Sequence, residues 1–458
     1  MATFEKRTTI AADALEAFAW HARPGAFERL TPPFENVTVE EGGGGIDPGS
    51  RVVLRTRVGP IVSRWVAEHR ELVPGRSFRD VQVRGPFERW DHDHLFEARD
   101  GNSFVMHDRV QYELPLGRIG RMAGGEFVRR KLERVFAYRH ATLRDDLAMH
   151  KRFGDRPRIR VLIAGSNGLI GRVTSAMLST GGHEVARLVR PERRLGRGEI
   201  GWDPGSGQID RDAIESFGPD AIVNLAGEPI AVRWNAERKR RIRESRIKAT
   251  EVLAKTIAEL RGKRPALISA SGVSYYGDSG DRVLDESAPA AKSFLGSLAR
   301  EWEEATGPAA EAGARVVTLR IGLVLSPNGG ALAAMLPFFR WGLGAALGSG
   351  RQHVSWISID DCAGAIVHSV LDDGLIGAAN VTAPNPVTNA EFARTLARSL
   401  GRPMLGVCPG WLARVLWGEL ASEGPLSGQH AMPARLSERG YVFRHPRLES
   451  ALAHVLGA

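Results

Sequence analysis

One stretch constrains this chain more than any other. The run Arg160-Val161-Leu162-Ile163-Ala164, apolar after its first residue, passes without a linker into Gly165-Ser166-Asn167-Gly168-Leu169-Ile170-Gly171, and helical character continues to Leu178. A short apolar run bounded by turn residues suits a fully buried strand. Glycines at 165, 168 and 171 let the backbone turn sharply, approach a phosphate closely and pack the next helix tightly. That helix then presents unpaired N–H groups and a positive dipole to an anion. The segment predicts a dinucleotide-binding strand–turn–helix. Gly165, Ser166, Asn167, Gly168, Leu169, Ile170 and Gly171 would surround the pyrophosphate, with Arg172 as a phosphate partner.

The downstream rhythm points the same way. Strand-like runs at residues 159–164, 184–189, 221–224, 266–271 and 315–319 alternate with helical stretches, which argues for a parallel sheet covered by helices on both faces. The predicted fold class is α/β, with a Rossmann-type parallel sheet. Its second strand ends in Arg190, where an acidic residue would bond an unmodified ribose 2′-hydroxyl. Arginine there suits a 2′-phosphate and predicts NADP in preference to NAD. After Asn224, the run Leu225-Ala226-Gly227 lets backbone lie against the adenine-side ribose and the pyrophosphate.

Upstream the pattern differs. Between residues 34 and 113 it has period two, as in Arg51-Val52-Val53-Leu54-Arg55-Thr56-Arg57-Val58, and predicts an antiparallel meander. A short strand at 4–10 and helical segments at 14–20 and 24–30 precede it. Residues 126–149 follow, with Phe127, Leu132, Val135, Phe136, Leu143 and Leu147 near helical spacing. The polar stretch from Lys151 to Pro157 reads as a linker, giving domains at 1–154 and from 158 onward, with 155–157 between them. His92 and His94 share a strand face and His107 lies on a neighbouring strand. No adjacent cysteine or carboxylate cluster completes a coordination set, so no metal is expected.

Two resemblances rest on these residues. The order strand, two helices, about six strands and one long helix, with Trp20-His21-Ala22-Arg23-Pro24-Gly25-Ala26-Phe27 and Gly85-Pro86-Phe87-Glu88-Arg89-Trp90, resembles the START-like or polyketide-cyclase-like superfamily. That implies an α+β helix-grip domain whose sheet encloses an apolar cavity for a hydrophobic ligand. Residues 158–458 resemble an extended or atypical short-chain dehydrogenase/reductase of the epimerase-like branch. The motifs are Asn224-Leu225-Ala226-Gly227-Glu228-Pro229-Ile230, Ser269-Ala270-Ser271-Gly272-Val273-Ser274-Tyr275-Tyr276-Gly277, Leu319-Arg320-Ile321-Gly322-Leu323-Val324-Leu325, Gly348-Ser349-Gly350 and Trp356-Ile357-Ser358-Ile359-Asp360-Asp361. The resemblance implies a cofactor domain over 158–400, a small C-terminal extension over 401–458, and a small-molecule substrate.

In that superfamily a Ser or Thr after the fourth strand and a downstream Tyr-x-x-x-Lys hold the substrate oxygen, the lysine lowering the tyrosine pKa. This chain departs from the plan. Its stretch 292–304 contains no tyrosine, and counting back from Gly277 the hydroxyl position falls on Gly272, with Ser271 one place earlier. Ser271, Tyr275 and Tyr276 remain as candidate catalytic groups, and a purely pocket-shaping role for them stays open. Two function classes follow. One is an NADP-dependent oxidoreductase or epimerase-like enzyme acting on a small, apolar carbonyl or alcohol; the other is an NADP(H)-sensing or ligand-binding protein that keeps the cleft without the chemistry.

Bulk properties narrow the partners. The net charge of +9 is scattered through the chain and does not predict nucleic-acid binding. Residues 233–248 hold eight Lys or Arg, with Glu237 and Glu244, and read as a solvated helix face. Arg320 is expected either to bind an anionic group or to cap the sheet edge. Pro337 and Arg340 interrupt the most apolar stretch, so no membrane span is expected; residues 335–349 read as an apolar lid or as packing core. The start lacks a secretory core and only Cys362 and Cys408 occur, which predicts a cytoplasmic protein. Residues 436–456 look like one helix, and the helix face near Trp302 offers a two-fold contact for a homodimer.

Overall fold

Period-two runs become strands because alternate side chains then reach one apolar face. The computed structural model describes residues 1–458 except 43, 44, 59, 60, 116, 192 and 193. The chain divides into two units: Met1–Pro157 with Ala176–Gly182 and Gly457, and Arg158–Ser175 with His183–Leu456 and Ala458.

The first unit runs β1 (Ala2–Ile10), α1 (Ala14–Ala22), α2 (Ala26–Leu30), β2 (Val37–Gly42), β3 (Arg51–Val58), β4 (Ile61–Val73), β5 (Ser77–Arg84), β6 (Arg89–Asp100), β7 (Ser103–Glu113) and α3 (Gly117–Lys151). Its sheet is antiparallel, in the order β1-β7-β6-β5-β4-β3-β2. The first strand lies beside the last, from Ala2 opposite Tyr112 to Ile10 opposite Phe104. Asp13 starts α1 by accepting the backbone N–H groups of Leu15 and Glu16, a cap worth about 1 kcal/mol. Helix α3 begins at Gly117, earlier than its apolar spacing suggested. Leu132, Phe136, Leu143 and Leu147 are buried, but Phe127 is 58% exposed and stands outside the stripe to which the spacing assigned it. Arg29 forms a buried two-point ion pair with Asp146, both bonds 2.8 Å, joining α2 to α3.

The second unit continues with β8 (Arg160–Ala164), α4 (Leu169–Thr180), β9 (Glu184–Val189), β10 (Glu199–Asp203), β11 (Gln208–Ile209), α5 (Arg211–Phe217), β12 (Ala221–Asn224), α6 (Ala236–Glu259), β13 (Ala266–Gly272), β14 (Val283–Leu284), α7 (Phe294–Glu304), α8 (Gly307–Glu311) and β15 (Val316–Ile321). The main sheet has the order β11-β10-β9-β8-β12-β13-β15, followed by the strand Gly377–Val381. Every pairing in it is parallel except β11 with β10. This is a doubly wound α/β sheet.

Several expectations need correction. Strands β10 and Gly377–Val381 were not anticipated; β10 buries only Ile200 and Trp202, with Gly201 between them, too short an alternation to stand out from a loop. The single helix expected over 436–456 is two, Ala434–Glu438 and Leu448–Leu456, parted where Gly440 takes φ 73° and Pro446 follows. Trp302 itself is buried, and its Nε1 donates to Thr250 Oγ1 at 2.9 Å, so this side chain packs inward from α7. The apolar stretch forms the helix Gly330–Arg340, burying Leu332, Leu336 and Phe339 while Phe338 stays exposed. Among the described residues no helix is long and apolar enough to cross a membrane.

Buried carboxylates tie the C-terminal segment to the helix Ile359–Leu371, Asp360 through His454 at 2.9 Å and Asp361 through several donors. Asp361, fully buried, accepts the backbone N–H groups of Arg444 (2.7 Å) and His445 (3.0 Å) and the hydroxyls of Ser358 (2.9 Å) and Tyr441 (3.2 Å).

Candidate cofactor and active site

The chain runs from β8 to β9 and β10 on one side of the sheet, then crosses to β12 on the other. A crevice forms where strand order reverses, beyond the carboxyl ends of β8 and β12, and ligands of doubly wound sheets bind there. The two turns that leave these strands touch. Leu225 N–H donates to Ala164 O at 2.9 Å, and a Cβ on Gly165 would stand 2.6 Å from Leu225 O. Gly165 also takes φ 80°, so two independent constraints require glycine.

Gly171 is required for space alone: a Cβ there would overlap the Gly165 carbonyl oxygen and lie 2.8 Å from Ser166 Cα. Gly168 is looser, meeting only Gly165 O at 3.2 Å, and its N–H donates to that oxygen at 3.0 Å. Arg172 Nε donates to Asn167 O at 2.9 Å, so this arginine braces the turn. Leu169 and Ile170 pack into an apolar cluster with Leu325 and Leu332.

A cleft of about 950 Å³ opens on this turn, lined among others by Gly165, Ser166, Asn167, Arg190, Ala226 and Gly227. Arg172, in the first turn of α4, and Leu225 lie outside this lining. Ser166 is 4% exposed and its Oγ has no hydrogen-bond partner among the described residues. Buried hydroxyls are normally satisfied, and a phosphate oxygen would satisfy this one. The glycine cradle and the orphaned hydroxyl therefore fit a dinucleotide.

Arg190 is exposed on the cleft wall and forms no ion pair with a described residue. The nearby Asp203 carboxyl is held below its ordinary range chiefly by Ser206, then by the Gly205 N–H, with Arg190 adding to the effect. Asp203 at the end of β10, and Arg241 and Lys248 on α6, also line the cleft and were missed as site residues. The basic run of 233–248 was the signal for Arg241 and Lys248. Arg241 pairs with Glu228 at 2.8 Å and Lys248 with Glu244 at 3.3 Å, so this run is partly neutralised.

Ser271, Tyr275 and Tyr276 converge on one buried arginine. Arg320, within β15 and 4% exposed, donates from Nε and Nη2 to the two oxygens of Glu303 at 2.8 and 2.9 Å, and from Nη1 to Tyr276 OH at 2.9 Å. Ser271 Oγ donates to Glu303 Oε1 at 2.8 Å, and Tyr276 OH donates to Asn380 Oδ1 at 2.7 Å. Burial alone would lower the Arg320 pKa, and the Glu303 carboxylate outweighs it, so the guanidinium is held above its ordinary range. Burial pushes the Tyr276 phenol up despite Arg320. The Tyr275 ring packs under Arg320, with Cζ 3.5 Å from its centroid, and its hydroxyl makes no hydrogen bond with a described residue. The anionic group that Arg320 binds is the Glu303 carboxylate of the same chain, which makes the arginine the hub of an internal polar network and not a sheet-edge cap.

In the first unit, the metal-like spacing separates. His107 faces Arg7 and Glu97 on one side of the sheet, whereas His92 and His94 point to the other side with Asp80 and Asp108.

Residues 161–377 match the NAD dependent epimerase/dehydratase family, and residues 408–455 match a domain of unknown function, DUF1731. An epimerase family protein of Mycobacterium bovis is 45% identical over 295 residues, covering 64% of this chain and 96% of that protein. The chain belongs to the NAD dependent epimerase/dehydratase family. The crystal structure of a nucleoside-diphosphate sugar epimerase from Corynebacterium glutamicum aligns with 99% of this epimerase-family chain and 90% of its own, with TM-score 0.81 and 33% identity. The structure of human epimerase family protein SDR39U1, with NADPH, aligns with 65% of this chain and 99% of its own, with TM-score 0.59 and 35% identity.

Proposed function

We propose that this epimerase-family chain binds NADP(H) in the cleft at β8, β9 and β12 and acts on a small carbonyl or alcohol. The observation that carries the cofactor choice is Arg190, a cation with no ion-pair partner among the described residues at the end of β9, where NAD binding would call for a carboxylate. The NADPH in the human relative's structure supports it. Ser166 and the N–H groups of the turn would hold the pyrophosphate, Ala226 and Gly227 would face the adenine-side ribose, and Arg190 would pair with the 2′-phosphate. A bound nicotinamide supplies hydride transfer. In Arg190→Glu, NADPH affinity is expected to fall about tenfold or more, equivalent to roughly 1.4 kcal/mol, with NADH affinity little changed. Fluorescence titration of both cofactors checks this, and an unchanged affinity ratio removes Arg190 from the assignment.

For proton transfer we propose Tyr275. Ser271 and Tyr276 already donate their hydroxyl protons to Glu303 and Asn380, which suits positioning, while the Tyr275 hydroxyl is left for a substrate oxygen. Tyr275→Phe is expected to lower kcat with NADPH and a responsive carbonyl by about 10²- to 10⁴-fold while leaving NADPH affinity within about twofold. Equal kcat in the variant would exclude Tyr275.

The same closed network favours a second reading, an NADP(H)-sensing protein without turnover. Tight NADPH binding with no consumption across a carbonyl panel would select it. For residues 1–154 the proposal is a START-like helix-grip module that takes a hydrophobic ligand. It is supported by the pairing of β1 with β7, by the long α3 after the last strand, and by the aromatic group Trp65, Phe87, Trp90 and Tyr112. A cytoplasmic location remains part of the proposal.

A further inference from the structure

We infer that the interior of the first unit holds a divalent transition-metal site built from Asp80, His92 and His94. Strand pairing creates it. On β6, His92 and His94 are two residues apart and share a face; β5 sets Asp80 opposite His92, and β7 sets Asp108 opposite His94. Asp80 Oδ2 lies 3.2 Å from His92 Nδ1 and 3.2 Å from His94 Nε2, and one donor atom from each of these three residues falls within 4.8 Å of the others. Ligand bonds of about 2.0–2.2 Å in tetrahedral or octahedral arrangement put neighbouring donor atoms roughly 3.0–3.4 Å apart. A direct charge-assisted hydrogen bond would be shorter, about 2.7–2.9 Å. Two rings aim different nitrogens at one carboxylate oxygen at this longer spacing, which donors around a shared ion would take, and His94 Nε2 also meets hydrogen-bond geometry with Asp80 Oδ2.

The far side of each ring supports the same assignment. His92 Nε2 lies 2.8 Å from Asp108 Oδ1, so this carboxylate would fix the ring with Nδ1 free to ligate. His94 Nδ1 also lies 2.8 Å from Asp108 Oδ1, an ion-pair contact outside hydrogen-bond geometry, although His94 is only 7% exposed. Asp108 is held in turn by His140 of α3, whose Nε2 is 2.6 Å from Oδ2 and whose Nδ1 is 2.7 Å from Thr8 Oγ1. Carboxylates behind metal-binding histidines set the tautomer and raise ligand basicity. Two imidazoles and one carboxylate select zinc, iron or a similar first-row ion over magnesium or calcium, and three protein donors leave a position for water or a ligand oxygen. The competing arrangement is an ion cluster closed on itself, with protons on the imidazoles in place of the metal.

The test uses the full chain, freed of metal by a chelator and titrated with Zn(II) and with Co(II). One equivalent of Zn(II) is expected to bind with Kd below about 1 μM, and Co(II) to give the visible absorption of a nitrogen/oxygen site. His92→Gln with His94→Gln should weaken binding by at least about 100-fold. Asp108→Asn should weaken it about 10- to 100-fold with the Co(II) spectrum kept, and His107→Gln on the opposite face should change neither. A wild-type chain that takes up no metal, or a double variant that binds as wild type, overturns the site. If the double variant does not fold, the wild type decides: Zn(II) must raise its Tm by mass action, and an unmoved Tm with no Co(II) absorption overturns the proposal.

Discussion

Gly171→Val is expected to remove NADPH binding by at least about 100-fold, equivalent to roughly 2.7 kcal/mol, in a chain that still folds. The clash is with backbone. A Cβ at this position overlaps the Gly165 carbonyl oxygen and lies 2.8 and 2.9 Å from Ser166 Cα and Gly165 C. No rotamer relieves that, so either the turn opens or α4 swings away from β8. Both movements disperse the N–H groups that face the anion. Gly168→Ala is the matched control: its Cβ meets only Gly165 O, at 3.2 Å, and the affinity loss should stay within about threefold, well under 1.4 kcal/mol. Calorimetric titration of both variants with NADPH checks the pair. Wild-type affinity in Gly171→Val would place the cofactor away from this turn.

Arg320→Met is expected to cost about 3–5 kcal/mol of stability, because removing one member of a buried ion pair leaves the other charged and unpaired. The side chains of Arg320 and Glu303 are 4% and 14% exposed, so solvent screens the pair little. Tyr276 loses a donor in the same step, while Glu303 keeps only the Ser271 hydroxyl of the bonds described. Adding Glu303→Gln should recover part of the loss by removing the stranded charge. Urea denaturation of wild type, Arg320→Met and the double variant measures the coupling. If Arg320→Met alone unfolds at wild-type urea concentration, the network does not bear the load assigned to it.

What the sequence made legible was local. Gly165 and Gly171 announce themselves because the turn they serve is seven residues long, and Arg190 is found by counting to the end of the next strand. The Arg320 network was beyond such counting: Glu303 lies 17 residues from Arg320 and 32 from Ser271, and it takes both the pairing of β13 with β15 and the packing of α7 on β13 to unite them. The histidines show the same divide. Alternation puts His92 and His94 on one face, but Asp80 and Asp108 join them through cross-strand register, which depends on where β5 and β7 begin pairing. The long helix expected at the C-terminus failed because apolar spacing on both sides of Gly440 and Pro446 can be read as one period although the backbone turns between them.

Asp361 gives the chain an order of completion. Two of its four partners described above are backbone N–H groups at 444 and 445, and a third is Tyr441. A chain leaving the ribosome therefore carries the Asp361 helix for some eighty residues of synthesis before these three groups that hydrogen-bond to its carboxylate exist. Until then water must take the place of those donors. Closure of this corner thus waits on residues 441–445, and a chain stopped before residue 441 keeps only the Ser358 hydroxyl of the four partners described.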